Sequence, residues 1–200
     1  MKNILFIMPF AGVLIAIPSL FAILYGCNCL QAKEAQSVGY GEEQLDISFR
    51  FHRGDIASSQ YAIWIEDATG RLVCTLYATS FTAKGGYEYR EDAIPIWVAK
   101  AKPQGMSSAQ VDAITGATPR NGVLTYQWDG TNDKGRRVAP GKYKFFVEGT
   151  LYWKSRVIYS GELTWGSKEQ TSIPIKTQYF NQSQTNKNMI MEIKAYHINK

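Results

Sequence analysis

Two-residue alternation runs through most of this chain. In LDISFRF, residues 45–51, Leu45, Ile47, Phe49 and Phe51 fall on one side of an extended backbone and Asp46, Ser48 and Arg50 on the other. Successive strand side chains point to opposite faces, so this period predicts a half-buried β-strand. YAIWIED and RLVCTLYA follow, separated by Asp67-Ala68-Thr69-Gly70, and read as a hairpin whose turn has a glycine available for positive φ. Further strands are predicted in VLTYQWDG, GKYKFFVEGTLYW and SRVIYSGELTW, around residues 173–180, and in MIMEIKAYHI. Seven or eight short strands with turn signals between them, and no alternation of strand with helix, predict an all-β antiparallel sandwich.

Residues 79–122 break this pattern. They carry Gly85-Gly86, Pro95, Pro103, Gly105 and Pro119, with at most a short helix around residues 96–100. Structureless insertions of this size in compact domains are functional or disordered as a rule, and Trp97 predicts that part of this one packs. The expected architecture is one domain over residues 44–200: a β-sandwich with one long irregular insertion.

The N-terminus predicts export. Lys2 precedes an almost unbroken apolar run over residues 4–25, and a polar tether follows over residues 31–43. The run is longer than the ~7–15 residues of a signal-peptide core and near the ~20 that span a bilayer, so residues 1–30 read as a leader or a membrane anchor. Leu24-Tyr25-Gly26-Cys27 resembles a bacterial lipobox, which implies a diacylglycerol on the Cys27 thiol. An uncleaved anchor and an ordinary cleavage near Ala32 stay open beside it. All three place the domain outside the cytoplasm.

Cys27, Cys29 and Cys74 are an odd set and do not read as a disulfide framework. Cys74, alternating with Leu72 and Leu76, reads as a small buried thiol in a strand core. The net charge of +5 comes without a basic block, so nucleic acid is discounted as a partner. His52 and His197 are isolated in sequence from any nucleophile or acid partner, and no hydrolase elbow accompanies them, so no catalytic residue is assigned. The five tryptophans read as core by default. If a flat cofactor were bound, Trp97 and Trp128 would be the better contacts.

In WDGTNDKGRRVAPGKYKFFVEG, residues 128–149, Asp129, Gly130, Asn132, Asp133 and Gly135 supply one compact turn and Pro140-Gly141 a second. Asp129, Thr131 and Asp133 alternate oxygens as calcium loops do, but no bidentate acid closes the loop, so a structural turn is the stronger reading and no metal ligand is assigned. The stretch resembles the immunoglobulin-like module of flagellar hook-capping proteins and of secreted bacterial domains with the same W-D-G, P-G-x-Y pattern, which implies an immunoglobulin-like sandwich.

VDAITGATPRNG, residues 111–122, has little bulk to bury. Thr115-Gly116-Ala117-Thr118-Pro119 and Asn121-Gly122 form a respectable turn sequence, with Gly116 and Gly122 free to take positive φ. Asp112, Thr115, Gly116, Ala117 and Thr118 also match, position for position, the D-x-x-(S/T)-G-A-T pattern recognised by bacterial flavin transferases. That resemblance implies a covalent FMN on Thr118, made from FAD outside the cytoplasm. Gly116 and Ala117 would keep the backbone slim enough to enter the transferase, and Asp112 would help position the segment. The implied partners are the flavin transferase and membrane or periplasmic redox proteins, with the chain an electron carrier and not an enzyme.

Taken together, the leader, WIED at residues 64–67, VDAITGATPRNG and WDGTNDKGRRVAPGKY are similar to a family of predicted periplasmic proteins, domain of unknown function 2271, over most of residues 45–165. Members accompany flavin transferases and membrane redox proteins, which implies extracytoplasmic electron transfer. The alternative is a non-catalytic periplasmic binding or scaffold module with no cofactor.

Overall fold

The computed structural model describes residues 43–53, 59–116, 119–152, 154–181 and 189–199. Nine strands are described: β1 (Glu43–Phe51), β2 (Gln60–Asp67), β3 (Leu72–Ala78), β4 (Gly122–Trp128), β5 (Gly141–Tyr152), β6 (Ser155–Trp165), β7 (Thr171–Ser172), β8 (Lys176–Phe180) and β9 (Ile190–Asn199). They form two antiparallel sheets, one in the order β4-β1-β9-β7 and one in the order β3-β2-β5-β6-β8. The fold is the all-β sandwich that the alternation predicts.

The inner faces supply the main core. Leu45, Ile47, Phe49 and Phe51 of β1 meet Tyr61, Ile63 and Ile65 of β2 and Phe145 and Val147 of β5, all buried. The stretch expected as one strand over residues 173–180 is divided. The two-residue β7 belongs to one sheet and β8 to the other, and between them Ile173 is buried and donates its N–H to the carbonyl of Ala195 at 2.9 Å. Pro174 has no N–H to offer a ladder, which suits the point where the chain changes sheets.

The W-D-G segment forms the predicted turn. Asp129 Oδ1 accepts from the N–H and hydroxyl of Thr131 (3.0 and 2.6 Å), and Asn132 Oδ1 accepts from the N–H groups of Lys134 and Arg136. These side chains satisfy the backbone of the turn itself, as Asx residues do. Gly130 lies at φ +80°, and a Cβ there would run into the Trp165 indole. Trp128 and Trp165 pack with ring centroids 4.5 Å apart, and the Tyr143 hydroxyl donates to the carbonyl of Ala139 at 2.7 Å. The signature residues thus form one structural corner.

The insertion departs from the irregular expectation. It contains α1 (Ser80–Ala83), α2 (Pro95–Ala101) and α3 (Ser108–Ile114), with 3₁₀ turns at Gly86–Glu88 and Pro103–Gly105. Only α2 matches the helix expected around residues 96–100. In α3, Ser107 accepts from the Gln110 N–H while the Gln110 side chain accepts from the Ser107 N–H, a capping box that satisfies donors left free at a helix start.

These helices cover the outer face of the five-stranded sheet. Ala83, Ile94, Trp97, Val111 and Ile114 pack with Ala62, Trp64 and Ala78 into a second core. Burying an aliphatic or aromatic side chain of this size is worth roughly 1.5–3 kcal/mol. Strand β2 is therefore buried on both faces, as its nearly continuous apolar run Tyr61-Ala62-Ile63-Trp64-Ile65 requires.

Candidate functional site

The candidate site is where the insertion returns to the sandwich. Polar side chains on the outer face of the sheet hold the insertion down. Glu148 of β5, 1% exposed, accepts from the N–H groups of Trp97 (2.8 Å) and Ile96 (3.3 Å) and pairs with Arg156 at 3.2 Å. Burial pushes its carboxyl up, against the pull of those amides and of Arg156. Thr150 accepts from the Ile94 N–H at 2.9 Å and donates to the Asp92 carbonyl at 2.6 Å. The Trp97 indole donates to Thr75 at 3.1 Å, and Lys100 reaches Glu66 at 3.0 Å. The bonds that reach the insertion are invisible to a local reading, because each joins residues 22 to 58 positions apart. The one sequence signal for them was polar side chains at outward strand positions beside an apolar insertion.

The described part of the D-x-x-T-G-A-T segment, residues 112–116, begins on α3, which packs against β3. Asp112 projects from α3, 68% exposed at the side chain, with an oxygen 3.4 Å from Lys84 Nζ. Thr115 follows as the residue capping the end of α3; it is buried, and its N–H donates to the Val111 carbonyl at 3.1 Å. Gly116 is half-buried, and a Cβ there would meet nothing closer than Tyr77 Cε2 at 3.7 Å. Its φ lies outside the left-handed region, whereas Gly122 lies at +143°. The turn expectation therefore holds for Gly122 and fails for Gly116, where neither backbone conformation nor packing among the described residues calls for glycine. Ala117 and Thr118 lie outside the described residues, as do Cys27 with the leader, Cys29, most of the tether and Trp153.

Beneath Gly116 sits an aromatic cluster. Tyr61 and Tyr77 stack with centroids 4.8 Å apart, and the Tyr61 and Tyr126 hydroxyls are hydrogen-bonded at 2.6 Å. Burial pushes all three phenols up, so they stay protonated across the physiological range. On the outer side, α1, the 86–88 turn and α3 enclose an open depression of about 520 Å³. Ala83, Val111 and Pro103 give it an apolar floor, Tyr87 and Met106 are half-exposed walls, and Lys84 and Asp112 stand on its rim.

The remaining candidates are scattered. Trp97 and Trp128 are fully buried and donate their indole N–H groups to Thr75 and to the Thr131 carbonyl, so neither presents a ring face for a cofactor. Cys74 is buried in the main core. His52 is exposed. His197 contradicts its expected isolation: it is 2% exposed, its Nε2 lies 2.7 Å from a Glu43 carboxylate oxygen, and its ring packs on Trp165. The two residues stand 154 positions apart in the chain, and antiparallel pairing of β1 with β9 brings them together. Among the described residues no three or more His, Cys, Asp or Glu side chains gather as a metal site would. None of the helices described is long and apolar enough to cross a membrane.

Neither the curated proteins nor the solved structures contain a match to this chain. A family model does match, over residues 42–182, and its description is "Predicted periplasmic protein (DUF2271)". That span takes in β1 to β8, the insertion, the W-D-G corner and the D-x-x-T-G-A-T segment, and the chain belongs to this family of predicted periplasmic proteins.

Proposed function

We propose that this protein is an extracytoplasmic electron carrier that bears FMN covalently on Thr118 and does not itself act as a catalyst. The observation that carries the reading is Gly116. Among the described residues nothing requires glycine there for turn geometry or for space, yet a transferase that must admit the segment does. The exposed Asp112, three positions before Thr115, stands where a second protein can reach it.

The attachment balances as a phosphoryl transfer. The Thr118 hydroxyl oxygen forms a bond to the FMN phosphorus of FAD, the pyrophosphate bond breaks, AMP leaves, and the hydroxyl proton passes to a base on the transferase. Once bound, FMN supplies one- and two-electron chemistry, and the protein supplies placement and electrostatics. A lipid on Cys27 would keep the carrier at the membrane surface, beside membrane redox partners.

The test is the intact mass and in-gel flavin fluorescence of the full chain exported together with a flavin transferase, compared with Thr118→Ala. The expected result is a fluorescent band heavier by one FMN moiety, absent in the variant. An unmodified mass in both, with the transferase active on a control substrate, leaves the alternative of a binding or scaffold module without a cofactor.

A further inference from the structure

Resting on the flavin reading, we propose that the depression between α1, the 86–88 turn and α3 is the seat of the isoalloxazine ring, which stacks against Tyr87. Size favours this cavity. Its volume of about 520 Å³ falls within the ~300–1,000 Å³ typical of small-molecule sites. A second cavity, about 240 Å³ beside Lys142 and His197, is smaller and lies at the far end of the strands.

The lining suits a flat ring with one polar edge. Ala83, Pro103 and Val111 form the apolar floor, while Tyr87 offers an aromatic face and Met106 a thioether, both favourable partners for a ring system. Polar groups stand at the rim, where Lys84 is paired with Asp112. Glu88 lines the depression as well, so the polar edge of the flavin would face fixed charges of both signs, and nearby charge tunes its electronics.

Reach is sufficient. Asp112 on the rim is three helical residues from Thr115, about 4.5 Å along the axis. Thr118 follows three residues later, at most about 11 Å further along the chain. A ribityl phosphate arm then spans several more bonds, so an FMN on Thr118 can fold back over α3.

The experiment uses the FMN-loaded full chain and reads intact mass and flavin fluorescence yield. An electron-rich phenol stacked on isoalloxazine quenches its fluorescence, and phenylalanine does so far less, so Tyr87→Phe preserves shape while removing the quencher. The expected result is an unchanged mass gain with a several-fold rise in fluorescence for Tyr87→Phe and Tyr87→Ala. Tyr89→Phe, at a residue 89% exposed and outside the depression, should leave the yield alone. A full mass gain with no rise for either Tyr87 variant, or a rise for Tyr77→Phe instead, overturns the seat and leaves the carrier reading intact. No mass gain in the unsubstituted protein overturns both.

Discussion

The Glu148 carboxylate, on the outer face of a central strand, accepts the Trp97 N–H at 2.8 Å and so ties the insertion to the sheet 51 residues away. Its charged partner, Arg156, is itself only 17% exposed at the side chain. Breaking a buried, hydrogen-bonded charge pair on one side costs about 3–5 kcal/mol. Glu148→Ala should lower stability by that order in urea unfolding, and Glu148→Gln by less, because the amide oxygen still accepts a backbone N–H. Burial raises the native pKa of Glu148. Its ionised form therefore weakens the fold as pH rises through the native value, and Glu148→Gln should remove that part of the pH profile.

Asp67 produces the opposite limb. The Thr69 hydroxyl, 2.6 Å away, is the main reason its carboxyl is held at about 2, with further donation from Arg71. A depressed native pKa stabilises the fold above the free carboxyl range and loses that contribution as pH falls from about 4 towards 2. After solvent screening the contribution is about 1 kcal/mol. Asp67→Asn should flatten the acid limb of a thermal-melt pH series by that amount and leave neutral behaviour nearly unchanged.

Gly130 combines a left-handed φ with contact against Trp165. Any Cβ must both strain the backbone and displace an indole from the core, and such overpacking costs about 1–3 kcal/mol. Gly130→Ala should show this as a lower midpoint in chemical denaturation, with altered near-ultraviolet dichroism from the Trp128 and Trp165 pair.

At Gly116 the expectation is reversed. The nearest atom to an added Cβ is 3.7 Å away, so Gly116→Ala should leave the unfolding midpoint within about 0.5 kcal/mol of the original. If the transferase needs a slim backbone, Gly116→Val should still abolish most of the mass gain seen on co-expression. Full FMN loading of Gly116→Val would show that glycine is not what the transferase reads.

The family match ends at residue 182, yet β9, Ile190–Asn199, lies between β1 and β7 in its sheet. Truncation after residue 182 would strip β1 of one partner strand and expose the core around Leu45 and Ile47. The truncated chain should bind a hydrophobic dye and lose its cooperative unfolding transition.

What the residue order determined by itself was local. Alternation in residues 45–51 and 141–152 specified strands because the two-residue period is a property of the backbone. The turns at Asp67–Gly70 and Asp129–Gly135 were legible because Asx and glycine residues satisfy the backbone within a few positions. The α3 helix was missed, although Ser107 and Gln110 stand at capping-box spacing, because a seven-residue helix has too short an apolar stripe to announce a period. Tertiary structure alone decided where the insertion goes. Thr75, Glu148 and Thr150 hold it through bonds to residues 22 to 58 positions away, and only the folded sheet brings those residues together. The same holds for His197 and Glu43, and for Asp112 beside the depression walled by Tyr87. A motif names residue types, whereas distance, burial and the shape of a cavity arise only when distant segments share one surface.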